Sequence, residues 1–329
     1  MKSIVLICPY FGKLPNYFPL TLLSMKNNPQ VTWLIFTDDE TAYDYPPNVQ
    51  VEYVDFAHVK KLIKKNLGVD ATGIRPYKLC DYKPFYGIVF QDYIREYSFW
   101  GHCDFDCVFG NLSDFITADV LHHYEKILYL GHLSLYKNDE KMRSMILAFK
   151  DTVPDVEKKL QQDYPYQFDE VLVVQYLMQK KLPIYVDDDN IADIYCLKKP
   201  FYMTKSQVQS DATHQKVYLQ SSFVPNHGLI FSYRDGKLQG LFLDEHDEIQ
   251  SKDYMYVHFQ KRPMTYQKGL FRHADSFLML PNCFSPYTHV DQKMIRQYSR
   301  DVIFYDNYAK IKWKNLKNRF KRIKMKFGR

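Results

Sequence analysis

Short apolar runs alternate with more polar stretches through the first part of the chain. Two of these runs, Ile4–Cys8 and Val31–Phe36, are almost continuous, and Val49–Val54 is a third. Between the first two runs, Phe18–Met25 is predicted to be helical. Strands that alternate with helices in this way predict an α/β domain with a mostly parallel central sheet flanked by helices.

The rest of the chain carries patterns of the same two kinds. They predict a long helix over Tyr77–Tyr97 that Pro84 kinks or breaks, a helix over Val171–Gln179, and strands over Ile127–Tyr136, Leu182–Val186 and Tyr254–Phe259. Several short strands are expected within residues 200–250.

Three polar or Gly/Pro-containing loops follow predicted strands: Pro9–Gly12, Thr37–Glu40 and Asp104–Asp106. Ligands of parallel α/β sheets bind beyond the carboxyl ends of the strands. We therefore expect these three loops to meet on one edge of the sheet.

Asp104 and Asp106 lie between two apolar runs. Removing a carboxylate from water is costly unless something compensates for it, so the placement favours a function. In an extended segment, residues two apart point to the same face and can converge. Two such oxygen ligands suit Mg²⁺ or Mn²⁺, with positions left for water and phosphate oxygens. The alternative is a solvated turn between two strands.

Composition narrows the class of protein. The 329 residues can bury a sizeable core, and the aromatic share of 16% is high for an enzyme. The six cysteines include no C-x-x-C pair, which predicts reduced thiols in a cytoplasmic protein. The N-terminal apolar run is too short for a signal peptide, and nowhere do 18 apolar residues follow one another.

The basic charge is concentrated at the C-terminus. Residues 307–329 hold ten Lys and Arg and no acid, out of 44 basic and 38 acidic side chains, so residues 1–306 are net negative. Five apolar residues recur there at helical spacing: Trp313, Leu316, Phe320, Ile323 and Phe327. We expect a catalytic domain over 1–306 and a basic amphipathic helix over 307–329 that binds the inner face of the cell membrane. The alternatives are a helix docked on its own domain or on a partner.

Three motifs together carry a resemblance to a known class. They are Pro9-Tyr10-Phe11-Gly12, the segment from Lys78 to Pro84, and the segment from Trp100 to Leu112 that contains Asp104 and Asp106. They resemble a poorly characterised family of bacterial glycosyltransferase-like proteins encoded among capsule and surface-polysaccharide genes. More broadly, the strand and loop at the N-terminus, the Asp-rich loop after the second strand and the Asp-x-Asp of Asp104 and Asp106 together resemble the GT-A class of nucleotide-sugar glycosyltransferases. The resemblance covers roughly residues 1–265.

The resemblance implies roles for the first two loops. They would hold the nucleotide of a UDP-sugar through Pro9, Tyr10, Phe11, Gly12, Thr37, Asp38 and Asp39. Asp38 could accept a hydrogen bond from uracil or ribose, or it could simply cap a helix or a turn. Lys78 would contact a phosphate of this donor, and Asp81 would contact its ribose or its sugar. Lys83 would also bind the donor. Alternatively, Lys78 and Asp81 form an ordinary i, i+3 pair.

His258, Lys261 and Arg262 lie in a segment similar to the end of GT-A catalytic domains. There, a His-Phe-x-Gly-x-x-Lys-Pro pattern supplies a third metal ligand and a Lys that contacts the diphosphate. In this chain Gln260 stands where the pattern has Gly, and Lys261 follows the His sooner. The resemblance implies that His258 joins Asp104 and Asp106 on the metal and that Lys261 or Arg262 meets the diphosphate. A lone His in a strand can also be structural.

Asp169 and Glu170 open an apolar helix. Acids in a first helical turn are favoured by the helix dipole alone. In many GT-A enzymes an acidic pair at a comparable point contacts the donor sugar or acts as the catalytic base. An inverting transfer would require such a base, whereas a retaining transfer would not.

The sequence therefore predicts a metal-dependent hexosyltransferase with Mn²⁺ or Mg²⁺ as cofactor, a UDP-sugar as donor and a membrane-borne glycan or lipid-linked acceptor. The alternative is a non-catalytic scaffold at the membrane surface with a degenerate GT-A fold. Nucleic-acid binding through the tail is a third hypothesis; the net negative charge of residues 1–306 argues against a nucleic-acid-binding surface on the rest of the chain.

Overall fold

The computed structural model describes residues 2–196, 198–210, 217–225, 228–271 and 275–299, together with residues 309, 310, 312, 313, 316 and 317. Over these residues the protein is α/β. Its first nine strands are β1 (Lys2–Tyr10), β2 (Val31–Thr37), β3 (Val49–Tyr53), β4 (Tyr97–Cys103), β5 (Cys107–Phe109), β6 (Lys126–Ile127), β7 (Leu133–Lys137), β8 (Ile184–Tyr185) and β9 (Ile191–Asp193).

Seven α-helices lie in the same part of the chain: α1 (Phe18–Lys26), α2 (Phe56–Leu67), α3 (Tyr86–Val89), α4 (Ala118–His123), α5 (Glu140–Thr152), α6 (Val156–Leu160) and α7 (Val173–Gln179). Short 3₁₀ helices span Pro76–Phe85, Gln91–Tyr93 and Leu112–Asp114, and a π-helical turn spans Phe168–Leu172.

The strands beyond residue 200 pair mainly in antiparallel fashion. Its strands are β10 (Tyr202–Ser210), β11 (Val217–Pro225), β12 (Ile230–Arg234), β13 (Lys237–Leu243), β14 (Ile249–Asp253), β15 (Tyr256–His258), β16 (Ser276–Leu280) and β17 (Cys283–Pro286). A 3₁₀ helix spans Lys268–Phe271, and α8 spans Gln292–Gln297.

The central sheet has seven strands in the order β3-β2-β1-β4-β7-β6-β8. The first four run parallel to one another, whereas β7 is antiparallel to both β4 and β6. The sheet is therefore mixed. Its core is apolar on both faces: Val5 and Ile7 of β1 are fully buried, as are Trp33 and Phe36 of β2. The order in which strands are added to the sheet reverses between β1 and β4, because β2 and β3 lie on one side of β1 and β4 lies on the other.

A second, three-stranded sheet has the order β5-β15-β9. Strand β15 runs antiparallel to β5 and parallel to β9, and His258 is in register with Cys107 on one side and with Asp193 on the other. This pairing brings a late strand of the chain beside Asp104 and Asp106. Strands β14-β13-β12-β16-β17 form a five-stranded antiparallel sheet, and β10 pairs with β11.

Several predicted elements are correct in kind but not in extent. The predicted helix over Tyr77–Tyr97 is wrong over most of its length, because Pro84 removes a backbone donor and the segment forms 3₁₀ turns and the short α3 before β4 begins at Tyr97. The predicted strand over Ile127–Tyr136 is two antiparallel strands, since Leu128 has a φ of +60° and ends β6.

Little of the basic C-terminal segment is described. The six described residues are helical, and the side chains of Trp313 and Leu316 are exposed. Phe320, Ile323 and Phe327, which complete the predicted apolar stripe, lie outside the described residues, as does the predicted boundary at 306/307. Among the residues that the structure describes, no helix is long and apolar enough to cross a membrane.

Candidate functional site

The first two loops are tied together by hydrogen bonds. The backbone N–H of Gly12 donates to Oδ1 of Asp38 at 2.7 Å. Asp39 accepts from Nζ of Lys13 at 2.7 Å and from the N–H of Leu14 at 3.0 Å. Asp38 stays exposed, whereas Asp39 is almost fully buried. Asp39 therefore holds the first loop in place, and Asp38 is the aspartate that remains open to a ligand.

The charge of Asp39 is well compensated. Burial raises the pKa of its carboxyl, but hydrogen bonds from Lys13, Thr41 and the Leu14 N–H outweigh this and hold the pKa below its ordinary value. The side chain of Thr37 is also buried, and its hydroxyl accepts from the Asp39 N–H at 3.1 Å. Thr37 and Asp39 thus shape the loop from inside.

Aromatic contacts connect the first loop to the Asp104–Asp106 segment. The Tyr10 ring lies 5.6 Å from that of Phe105, centroid to centroid, and Phe18 contacts Phe105 from α1 at 5.1 Å. Pro9 and Tyr10 end β1, and the ring of Phe11 packs on Phe56. The expectation that the three loops meet on one edge is confirmed.

Asp104 and Asp106 lie in the turn between β4 and β5, as expected for a polar loop that follows a strand. Phe105 is buried between them and anchors the turn, so both carboxylates remain partly exposed, at 34% and 26% of their side-chain surface. One ligand atom each from Asp104, Asp106 and His258 lie within 4.8 Å of one another. The three predicted metal ligands therefore converge at the end of β4.

His258 has a carboxylate on each side of its ring. Nε2 lies 3.4 Å from Oδ1 of Asp106, and Nδ1 lies 2.8 Å from Oδ1 of Asp193. Burial lowers the pKa of His258, but the two carboxylates outweigh it and raise that pKa well above its ordinary value. The two carboxylates therefore favour a positive charge at this point.

Lys83 links the Asp104 carboxylate to a second pair of acids. Its Nζ lies 2.7 Å from Oδ1 of Asp104 and 3.6 Å from Oδ2 of Asp169, and it donates to the Gly131 carbonyl at 2.8 Å. Asp169 and Glu170 lie on the π-helical turn before α7. Single π turns within helices are frequent at functional sites.

Gly131 allows this pair of acids to approach the backbone. A Cβ at position 131 would lie 2.4 Å from Oδ2 of Asp169 and 3.0 Å from Oε1 of Glu170. Any side chain there would displace the carboxylates. The interruption between β6 and β7 thus creates room for the acids beside Lys83.

Lys83 lies among three carboxylates, those of Asp104, Asp169 and Glu170, and these four side chains form a charge cluster. Burial alone would lower the pKa of Lys83, but Asp104 and Asp169 raise it well above its ordinary value, so Lys83 is charged. Burial raises the pKa of Asp169 to about 7, and it also raises the pKa of Glu170. The cluster has more acids than cations, so a further positive charge would stabilise its carboxylates electrostatically.

We expect the pKa of Asp169 to make stability depend on pH. Between about pH 4 and pH 7 the native state keeps a proton that the unfolded state has lost, because the ordinary pKa is 3.8 and the native value is about 7. The contribution of Asp169 to stability therefore falls as pH rises through this range. Asp169→Asn removes that loss, so the free energy of unfolding of the variant should rise relative to wild type by ~1–4 kcal/mol from pH 4.5 to pH 8.

Urea unfolding at the two pH values measures this difference. Asp119→Asn, at a carboxylate that is 81% exposed, serves as the control and should show no such change. An Asp169→Asn difference that is the same at both pH values would show that the carboxyl titrates normally.

Lys78 and Asp81 bind each other in the interior and are not open to a ligand. Both are buried, and Nζ of Lys78 lies 2.6 Å from Oδ2 of Asp81 and donates to the Tyr164 carbonyl. Asp81 also accepts from the Tyr166 N–H at 2.8 Å. The pair fixes the loop that leads into the π-helical turn, and we correct its role from binding the donor to supporting Asp169.

Arg262 is likewise structural. Its buried guanidinium donates to the carbonyls of Tyr195, Lys198, Lys199 and Pro281, and burial lowers its pKa to about 9. A diphosphate cannot use a guanidinium that is committed to four carbonyls. Of the two basic residues predicted to meet it, the exposed Lys261 remains available.

Three residues were not expected beside His258 from the sequence: Asp193, Gln260, which donates to Asp193, and His132, which stacks on His258 with ring centroids 4.2 Å apart. Asp193 lies in a short run after Asp187–Asn190 that carried no motif. Only the pairing of β9 with β15 places it beside His258.

Comparison with known proteins adds a family but no activity. No curated protein and no solved structure gives a match. The sequence model of one family matches residues 6–288, which is most of the chain and includes every residue of the site described above. The chain therefore belongs to DUF6625, a family of unknown function.

Proposed function

We propose that this protein is a metal-dependent glycosyltransferase of the GT-A type. It would transfer a hexose from a UDP-sugar to a membrane-associated glycan or lipid-linked acceptor in surface or capsular polysaccharide synthesis. The observation that carries the proposal is the convergence of Asp104, Asp106 and His258, with ligand atoms within 4.8 Å, at the end of a parallel strand.

The position of this convergence in the sheet supports the proposal. In open α/β sheets, ligands bind outside the carboxyl ends of the strands at the point where the strand order reverses. Here that point lies between β1 and β4, and the strand ends there carry Pro9–Gly12 and Asp104–Asp106. The loop of Thr37–Asp39 is hydrogen-bonded to the first of them. A nucleotide and its diphosphate would lie across these loops.

The donor set fits Mn²⁺ or Mg²⁺. Two carboxylates and one imidazole are ligands that Mn²⁺ accepts, and the exposure of Asp104 and Asp106 leaves positions for diphosphate oxygens. When bound, such an ion would act as a Lewis acid that stabilises the leaving diphosphate. The excess of carboxylates over Lys83 is the electrostatic reason why a cation would be favoured here.

The remaining residues of the site have complementary roles. Gly12 and Asp38 would receive the nucleoside, and the exposed Lys261 would approach the diphosphate. Glu170 is the more accessible acid of the π-helical turn, whereas Asp169 is buried against Lys83. We propose that Glu170 takes the proton of the acceptor hydroxyl and that Asp169 and Lys83 position it.

A catalytic role explains these buried charges better than the scaffold alternative. Buried ionic groups cost desolvation energy, and a surface scaffold would need none of them. Attachment to an anionic membrane by residues 307–329 is compatible with either function. Its support is the basic composition, the exposed Trp313 and Leu316, and the helical state of the six described residues.

The test combines binding with activity. Full-length protein should be stabilised against thermal unfolding by UDP together with Mn²⁺, by about 2.7 kcal/mol at ligand concentrations near 100 Kd. It should also release UDP from a panel of UDP-hexoses in a Mn²⁺-dependent manner. The Asp104→Asn/Asp106→Asn double variant should lose both responses.

Asp119→Asn, which removes an exposed carboxylate outside the site, should retain both. A double variant that still responds to UDP and Mn²⁺ like wild type would refute the metal assignment. Wild-type protein that binds UDP and Mn²⁺ but releases no UDP from any donor would favour the scaffold.

A further inference from the structure

Asp193 contacts the one metal-ligating candidate that comes from the late part of the chain. It is the last residue of β9 and lies opposite His258 in the parallel pairing with β15. Its Oδ1 lies 2.8 Å from Nδ1 of His258, and 12% of its side chain is exposed. The proposed metal ligation by Asp104, Asp106 and His258 does not by itself require a buried carboxylate at position 193.

A second side chain orients the Asp193 carboxylate. Nε2 of Gln260 donates to both oxygens of Asp193, each at 3.0 Å. Gln260 has a φ of +54°, which is the left-handed conformation that side chains seldom adopt. The backbone therefore turns back immediately after β15 and brings the amide onto Asp193. The carboxylate is held from two directions.

The plane of the His258 ring is also restricted. His132 stacks on it with ring centroids 4.2 Å apart and an interplanar angle of 19°. Nδ1 of His132 in turn shares a hydrogen bond with the Tyr256 hydroxyl at 2.7 Å. The stack limits rotation of His258 about its side-chain bonds, so Nδ1 stays toward Asp193 and Nε2 stays toward Asp106.

We infer that Asp193 is a positioning residue for the metal site, which keeps the proton of His258 on Nδ1 and thereby presents the lone pair of Nε2 to a cation held by Asp104 and Asp106. The inference rests on the proposed function, because it requires that metal site. Its physical basis is that a neutral imidazole carries one N–H, and the partner of one nitrogen decides which nitrogen is free to ligate. Gln260 acts with Asp193 by fixing the carboxylate.

An alternative set of metal ligands includes Asp193 itself and must be distinguished from this one. Ligand atoms of His132, Asp193 and His258 also lie within 4.8 Å of one another. If a cation bound there, Asp193 would be a ligand and not a positioning residue. The hydrogen bonds of Asp193 to His258 and Gln260 favour the positioning role, since they already occupy both of its oxygens.

Calorimetric titration of Mn²⁺ into the full chain, without nucleotide, tests the inference. Asp193→Asn should weaken Mn²⁺ binding by about 10–100-fold, which is the usual effect of losing the partner of a ligating histidine. Gln260→Ala should weaken it in the same direction by a smaller factor. Asp253→Asn, at an exposed carboxylate on β14, should leave the affinity unchanged.

A spectroscopic measurement separates positioning from general damage to the fold. Long-range ¹H–¹⁵N spectra of histidine-labelled protein with saturating Mg²⁺ should show His258 protonated at Nδ1 in wild type, with His258→Gln used to assign the signal. Asp193→Asn should give a mixture of tautomers. If Asp193→Asn does not fold, the same spectra of Gln260→Ala decide, and a wild-type tautomer together with wild-type affinity overturns the inference.

The possible failures are distinguishable. Wild type that binds Mn²⁺, with Asp193→Asn binding it equally well in the same tautomer, refutes the inference alone. Mn²⁺ binding that survives Asp104→Asn/Asp106→Asn but not Asp193→Asn makes Asp193 a ligand and also refutes it. Wild type that binds neither Mn²⁺ nor Mg²⁺ refutes the proposed metal site and the inference together.

Discussion

Lys83→Met is expected to lower the free energy of unfolding by about 3–5 kcal/mol near pH 7.5, because it leaves buried acids without their cation. Lys83 and Asp169 expose only 10% and 7% of their side chains, and Lys83 is bonded to Asp104 at 2.7 Å. The methionine fills a similar volume, so the loss reports the charge. Urea unfolding followed by circular dichroism measures it.

Lys13→Met provides a matched control. Lys13 makes an ion pair with Asp39 at the same distance of 2.7 Å, but its side chain is 82% exposed. Water already solvates such a lysine, and the buried Asp39 keeps the hydrogen bonds from the N–H groups of Leu14 and Thr41, so removal of Lys13 should cost much less than removal of Lys83. Two ion pairs of equal length should therefore differ several-fold in their contribution, because Lys83 is buried and also neutralises Asp169, whereas Lys13 is exposed.

A second variant identifies the cause of the loss. In a Lys83→Met/Asp104→Asn double variant one unpaired carboxylate is gone, and we expect part of the stability to return. Lys83→Met should also be less destabilising at pH 5, where Asp169 and Glu170 can take up protons. Equal losses for Lys83→Met and Lys13→Met, or no recovery in the double variant, would contradict a buried charge cluster.

Glu170→Gln is expected to slow the release of UDP from the donor by about 10²–10⁴-fold, the usual contribution of a general base. The change keeps the shape of the side chain and removes its ability to accept a proton. Burial raises the pKa of Glu170, which brings a carboxyl closer to the range in which a base is effective at neutral pH. Steady-state kinetics with water as acceptor measure the rate.

Binding data must accompany that rate. Glu170→Gln should still be stabilised by UDP and Mn²⁺ as wild type is, because it leaves Asp104, Asp106 and His258 intact. Asp119→Asn is again the control, and its rate should not change. A Glu170→Gln variant with the wild-type rate would exclude Glu170 as the base and would fit a mechanism that needs none.

Those parts of the molecule that depend on local pattern could be predicted from the sequence. The apolar runs at Ile4–Cys8 and Val31–Phe36 became β1 and β2, and the loops after them meet Asp104–Asp106 as expected. That prediction needed only the rule that parallel strands share an edge for their carboxyl ends. Local pattern alone did not predict that His258 would lie beside Asp104 and Asp106; that expectation came from the resemblance to GT-A domains.

Other features depend on contacts between distant segments. Lys78 and Asp81 are polar at a suggestive spacing, but the loop near Tyr164 buries them, and nothing in the sequence reveals that cover. The resemblance implies that Lys261 or Arg262 meets a diphosphate, whereas four backbone carbonyls bind Arg262. Asp193 carried no motif at all, since its partner lies 65 residues away.

Hydrogen bonds within the protein, from Gly12 to Asp38 and from Leu14 to Asp39, hold the first loop and the chain after it in place. The conformational entropy of this loop is therefore lost when the chain folds, and a ligand that binds there does not have to order the loop. Association should consequently be rapid and close to rigid-body docking, with a heat-capacity change no larger than the contact surface itself accounts for.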